Sequence, residues 1–363
     1  MEKRSAIIAA VRGFFVADGF LEVETPTVVP VPGMEPHLDP FQTEIRRHDG
    51  AKFTAHLIAS PEYSMKKLLA GGLTKIFELA RAYRNSEPWD GSHNAEFTML
   101  EWYRADASYE AIMADTERMV AGVAKDINGT EQVTYQGQNI DLSAPWPRMS
   151  VVEAFQKYAG IDLGAGIDDP AKFRRDVEAK GVTLTANDTW DDAFFKIFLR
   201  DIEPKLGMSE GLEGDSSKSA SALDLMRSLS LLVESPSQPL RPTLRPVILY
   251  EYPRSMAALA RLKAGDTRFA ERFEAYVGGM ELANAFSELN DAAEQRRRLE
   301  EERAQRNRLG ALDYGLDEQF LEAVSLMPPS AGIALGIDRL VMLFTDSIAI
   351  KDVLFFPSSD LFE

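Results

Sequence analysis

In the stretch YRNSEPWDGSHNAEFTMLEWY, Tyr83 to Tyr103, strand alternation would put Phe97, Met99, Glu101 and Tyr103 on one face. Thr98, Leu100 and Trp102 would take the other. Arg84, at the end of the preceding strand-like segment, adds a guanidinium to the first face. A guanidinium can grip a phosphate with two parallel N–H donors while a flat base stacks on the aromatic ring. Read alone, the same segment is also a half-buried strand with one solvated glutamate.

Two other stretches carry charge in apolar surroundings. In FEAYVGGMELANAFSELND, Phe273 to Asp291, a two-residue turn at Gly278-Gly279 would set Tyr276 opposite Glu281, with Glu274 diagonal on the same face. Two converging carboxylates repel unless a cation lies between them, and Mg²⁺ bridged to phosphates is the usual occupant. The alternative is two solvated acids on an exposed hairpin. Asn284 and Glu288 have the opposite parity and reach that face only across a bulge or turn. In GIALGIDRLVMLF, a small-residue strand leads into helical spacing, so Arg339 falls in a first helical turn, where free N–H groups favour anions. Its alternative is a local pair with Asp338. Glu62, just after Ser60-Pro61, complements a helix dipole or supplies, with Glu101 and Glu288, a third acid for a cationic substrate.

The elements that would position these residues are legible as well. Ile7, Ile8, Val11, Phe14 and Phe15 recur at helical spacing, and Arg12 and Asp18 break what would otherwise resemble a leader. FLEVETP and AHLIAS read as strands, SPEYSMKKLLAGG as a helix with Ser60 as cap and Gly71 as stop. KIFELARAYR and EFTMLEWYR read as paired strands, and the helix SYEAIMADTERMVAGVAKDI follows with Ser108 as cap. Residues 208–246 turn Ser- and Pro-rich and read as a flexible insertion, in a chain that by length alone is one large domain or two ordinary ones. The charged run DAAEQRRRLEEERAQRNRLG reads as a solvated helix capped by Asp291 and Glu294, without a role in a site. With several hairpins and no βαβ period, the expected class is α+β, an antiparallel sheet flanked by helices.

The chain has 363 residues, no cysteine and a formal charge of −17. Thiolate metal sites and cysteine nucleophiles are excluded, and a broad phosphate-backbone footprint is disfavoured. No stretch reaches the roughly 18 apolar residues that span a bilayer, so the expectation is a cytoplasmic protein without membrane contact.

Together these residues resemble the class II aminoacyl-tRNA synthetases, in particular the lysyl-tRNA synthetase catalytic domain. GFLEVETP, with Pro26, looks like motif 1; YRNSE through HNAEFTMLEWY like motif 2; GIALGIDRL like motif 3. SPEYSMKKL and GGMELANAFSELND are similar to lysine-branch segments, and the resemblance covers nearly everything outside the insertion. The resemblance starts at the catalytic domain's first helix, so the expectation is a catalytic domain without an N-terminal OB-fold and without a place for an anticodon. That architecture resembles the elongation factor P lysine ligase family, which activates lysine, preferably (R)-β-lysine, and transfers it to a lysine of elongation factor P.

The resemblance implies ATP and Mg²⁺ as cosubstrate and cofactor, elongation factor P as partner, and a homodimer. It implies that Arg84 holds the α-phosphate, that Phe97 and Arg339 sandwich the adenine, and that Glu274 and Glu281 bind Mg²⁺. Glu87, His93 and Asn94 would lie on the ATP side, with Ser86 where the family commonly has an acid. Glu62, Glu101, Tyr103, Asn284 and Glu288 would line the lysine pocket. Ala334 stands where lysyl-tRNA synthetases have glycine, and its methyl would shift where the second amino group sits. A free-standing ligase with another acceptor such as tRNA, and a non-catalytic regulatory paralogue, are the competing readings.

Overall fold

Long apolar alternation generates most of the strands in the structure, a computed structural model that describes residues 1–89, 91–208, 243–257 and 259–362. In chain order they are β1 (Leu21–Glu22), β2 (Val28–Val29), β3 (Gln42–Arg46), β4 (Lys52–Leu57), β5 (Lys75–Tyr83), β6 (Glu96–Ala105) and β7 (Gln132–Tyr135). There follow β8 (Gln138–Asp141), β9 (Arg148–Ser150), β10 (Val247–Tyr250), β11 (Arg272–Val277), β12 (Met280–Ser287) and β13 (Ser330–Gly336). Eight of them form one sheet in the order β1-β5-β6-β13-β12-β11-β10-β9. The inner pairings are antiparallel, as expected, whereas both edge pairs, β1 with β5 and β9 with β10, are parallel. FLEVETP contributes only Leu21–Glu22, because Thr25 N–H turns to the Glu78 carboxylate at 3.0 Å instead of continuing the ladder.

The two faces of this sheet have different tenants. Leu100 and Trp102 of β6, Ala283 and Ala285 of β12 and Ile333 and Leu335 of β13 are buried under helices α1 (Glu2–Ala17), α3 (Tyr109–Asn128) and Ile337–Thr345. Phe15 of α1 stacks on Phe77 at 4.8 Å, so the period-3.6 stripe of α1 is core. The opposite face carries Met99, Tyr103, Asn284 and Ala334 and is left as a cavity wall. Helix α2 (Glu62–Ala70) borders it, as does the helix Ala292–Arg308.

Asp338 and Arg339 do not pair with each other. Asp338, 2% exposed, meets Arg4 of α1 at 2.6 Å and accepts the Thr98 N–H at 2.7 Å, fastening the first helix to the last long one. The Ser/Pro-rich insertion lies almost wholly at 209–242, outside the described residues. No described helix is long and apolar enough to cross a membrane.

Candidate active site

A cavity of about 410 Å³ opens on the sheet's free face, and β6, β12, β13, α2 and the 84–97 connection supply its walls. At one end Arg84 places its guanidinium 5.2 Å from the centroid of the Phe97 ring. Its Nε is buried without a hydrogen-bond partner among the described residues, an unsatisfied donor at a cavity wall. Leaving such a group unpaired costs roughly 1–3 kcal/mol, so the site favours an incoming anion. Arg339 faces the same space from the first turn of Ile337–Thr345 and donates to the Glu281 carbonyl at 2.8 Å. Glu87 and His93 line this end. Asn94 lines it too, but its amide is committed: Nδ2 donates to Glu96 O at 2.6 Å and Oδ1 accepts the Ser358 N–H at 2.8 Å. Asn94 therefore shapes the connection rather than offering a free amide.

The Gly278-Gly279 turn forms as expected, both glycines having positive φ, and Tyr276 pairs with Glu281. The register then slips by one: Ala275 faces Ala283 and Glu274 faces Asn284, leaving Leu282 as an extra residue in β12. This bulge removes the parity conflict and puts Glu281 and Asn284 on the cavity side together. Glu274 shares that face but is largely claimed. Arg272 donates to one oxygen at 2.7 Å, and the Tyr252 and Tyr276 hydroxyls donate to the other at 2.5 and 2.6 Å. Burial, then the Glu281 charge, raises its pKa. An ionised carboxylate has about four acceptor positions, so Glu274 retains about one. With the freer Glu281 it suits a cation whose remaining ligands are water and phosphate. No cluster of three or more metal-ligating side chains occurs among the described residues.

The other end is acidic, and here the structure corrects the sequence reading. Glu62, Tyr103, Asn284 and Ala334 line the cavity, whereas Glu101 and Glu288 are completely buried behind it. Glu101 accepts from the Ser60 hydroxyl at 2.5 Å and the Tyr103 hydroxyl at 2.7 Å. Burial, assisted by the Glu62 charge, still pushes its pKa up to about 8. Ser60, expected as a plain helix cap, thus serves the acid while also accepting the Glu62 N–H at 3.0 Å.

Glu288 is reached first by Lys66, one helical turn beyond Glu62, which bridges both acids at 2.6 Å and 2.5 Å. The second is a close ion pair on an acid with no exposed surface. Burial works against the Lys66 ammonium, but Glu288 and Glu62 outweigh it and raise its pKa. Replacing Lys66 by Met would strand the fully buried Glu288 and leave the half-buried Glu62 unpaired, so the expected loss of stability is roughly 3–5 kcal/mol. Urea unfolding measures it, and a loss under about 1 kcal/mol would contradict this account of the pair.

Sequence reasoning missed Lys66, although the Glu62/Lys66 spacing was a usable signal. It also missed Arg272, Glu35 and Glu302, all of which line the cavity. The charged helix is not purely a solvated face. Asp291 does cap it, accepting the Ala293 and Glu294 N–H groups at 3.0 Å, but Gln295, Arg298, Leu299 and Arg306 are buried.

A family model described as tRNA synthetases class II (D, K and N) matches residues 1–360. The lysine–tRNA ligase of Moorella thermoacetica is 39% identical over 356 residues, which cover 98% of this chain and 64% of that protein. The lysine–tRNA ligase of Pelotomaculum thermopropionicum is 36% identical over 358 residues, covering 98% and 62% respectively. The chain therefore spans less than two thirds of the length of these relatives.

Proposed function

We propose that this chain, which belongs to the class II tRNA synthetases of the D, K and N group, activates lysine or (R)-β-lysine with ATP and passes the aminoacyl group to an amine. The observation that carries the reading is the polarity of one cavity: a guanidinium with an unsatisfied Nε over an aromatic ring at one end, buried carboxylates at the other. Such a cavity suits a nucleotide and a cationic amino acid side by side.

In the first step a carboxylate oxygen of the amino acid attacks the α-phosphorus of ATP. A new P–O bond forms in line as the bond to the β-phosphate oxygen breaks, giving an aminoacyl-adenylate and pyrophosphate. Arg84 and Arg339 neutralise charge growing on the phosphates, and the walls hold the two reactants in line. Mg²⁺ held by Glu281 and the remaining position on Glu274 would neutralise further phosphate charge. Phe97 offers its face to the base, and Glu87 and His93 border it. Glu62 and Tyr103, backed by Glu101 and Glu288, answer the ammonium groups, and Asn284, whose Oδ1 accepts from Arg272 Nε at 3.1 Å, borders them. No enzyme nucleophile is needed, because the second amine attacks the adenylate's carbonyl carbon directly and AMP leaves.

For the acceptor we favour the ε-amino group of a lysine on elongation factor P, on the strength of the resemblance to that ligase family and of Ala334 on the pocket wall. The names of the relatives favour a second reading, in which tRNA is the acceptor. ATP–pyrophosphate exchange with L-lysine and with (R)-β-lysine tests activation, and no exchange with either isomer would sink it. Elongation factor P incubated with enzyme, ATP and the better isomer should gain one lysyl mass. Charging of tRNA with elongation factor P unmodified would transfer the assignment to the second reading.

A further inference from the structure

Arg272 opens β11 in the cavity wall, and its guanidinium is held by three acceptors and a ring. Nη2 donates to Glu274 at 2.7 Å, Nη1 to the Met256 carbonyl at 2.7 Å, and Nε to Oδ1 of Asn284 at 3.1 Å. The guanidinium carbon lies 4.6 Å from the centroid of the Tyr252 ring, whose hydroxyl donates to the other oxygen of Glu274 at 2.5 Å. A planar fork fastened in this way has a fixed direction.

It also fixes a neighbour. An arginine Nε–H can only donate, so the atom of Asn284 that it meets is the carbonyl oxygen, and the amide nitrogen turns the other way. Nδ2 has no acceptor among the described residues, and Asn284 lines the cavity. In the register of the sheet Glu274 pairs with Asn284, Asn284 with Ala334 and Ala334 with Glu101, so Asn284 lies between an acid of the cation end and an acid of the ammonium end. An N–H₂ group placed there repels an ammonium and donates to an anionic oxygen. On the lysine-activating reading, the amino acid's carboxylate must lie between its ammonium pocket and the α-phosphate, which is the same place.

We propose that Arg272 is a positioning residue for activation: by holding Oδ1 of Asn284 it fixes the amide so that Nδ2 donates to the carboxylate of the amino acid. This inference rests on the lysine-activating reading and deepens it. Arg272 acts through Asn284 rather than on the substrate. Released from the guanidinium, the amide is free to turn over and set its oxygen against the carboxylate. A lysine at this position keeps the positive charge beside Glu274, but its flexible stem and compact ammonium cannot hold Glu274 and Asn284 at one fixed angle.

Calorimetric titration with the better-bound lysine isomer and with its decarboxylated counterpart, cadaverine for L-lysine or 1,4-diaminopentane for (R)-β-lysine, tests this. Arg272→Lys should bind the lysine isomer about tenfold more weakly, the scale of one hydrogen bond to a charged group, and the diamine as tightly as the wild type does. Asn284→Ala should lose lysine affinity to a similar extent, and adding Arg272→Lys to it should cost nothing more, since the path through the amide is already gone. Equal weakening of the diamine, unchanged lysine affinity in Arg272→Lys, or a further tenfold loss on top of Asn284→Ala overturns the assignment. If Arg272→Lys does not fold, Asn284→Asp decides it, because the new carboxylate still accepts from Arg272 and turns a second oxygen to the cavity. Lysine affinity should then fall at least about tenfold with the diamine not weakened, and retained lysine affinity overturns the assignment. Absent wild-type exchange with this binding pattern intact refutes only the activation reading. Wild-type exchange with the pattern broken refutes only the role of Arg272.

Discussion

Arg339→Ala is expected to slow lysine-dependent ATP–pyrophosphate exchange by about 10²–10³-fold, the usual scale for removing one preorganised charge from a transition state. Arg339 is placed by the first turn of Ile337–Thr345 and oriented by the Glu281 carbonyl at 2.8 Å. Its remaining N–H groups face the cavity end that Arg84 and Phe97 share. Because Asp338 is engaged with Arg4 and Thr98, the helix start should survive the substitution. Lysine binding, read by calorimetry, should change little, since the acidic end is built from other residues. A loss under threefold in exchange would remove Arg339 from the chemistry.

Gly332→Ala is expected to weaken lysine binding by roughly 10- to 100-fold, matching an overpacking cost of about 1–3 kcal/mol. Gly332 pairs with Tyr103 across β13 and β6. A Cβ at Gly332 would lie 2.2 Å from two atoms of the Tyr103 ring and 2.8 Å from a Glu288 oxygen. The ring cannot yield freely, because Tyr103 is 2% exposed and its hydroxyl is bonded to Glu101. The methyl therefore displaces the tyrosine or the acid, and both belong to the ammonium end. ATP affinity should hold. Lysine affinity equal to wild type would mean that the tyrosine and Glu288 are not where the amine sits.

What the sequence made legible was local. The Gly278-Gly279 turn, the face shared by Phe97, Met99 and Tyr103, and the helical start at Ile337 all follow from side-chain period and turn chemistry. The bulge was legible only as a requirement, since the parity of Asn284 demanded an irregularity without locating it at Leu282. Partners distant in the chain were not legible. Asp338 bonds to Arg4, 334 positions away, and Arg306 holds a loop 271 positions away. Glu302 looked solvated because its neighbours on the helix are charged; only the fold reveals that its turn closes over Glu35. Lys66 was hidden by a different cause. Its partner Glu288 lies on another element, and a buried ammonium is expected only when two acids meet it.

The single extra residue at Leu282 gives β12 a change of phase. Before it, Glu281 serves the end of the cavity with the arginines; after it, Asn284 serves the end with the acids. One continuous backbone is thus the ruler that sets the spacing of two different ligands, and their alignment is written in chain length more than in side-chain identity. Leu282 is itself 2% exposed in the apolar core, so another aliphatic residue should replace it at small cost. Removing the position altogether would rotate one half of the strand against the other, leaving two half-sites that no longer address a common reacting centre.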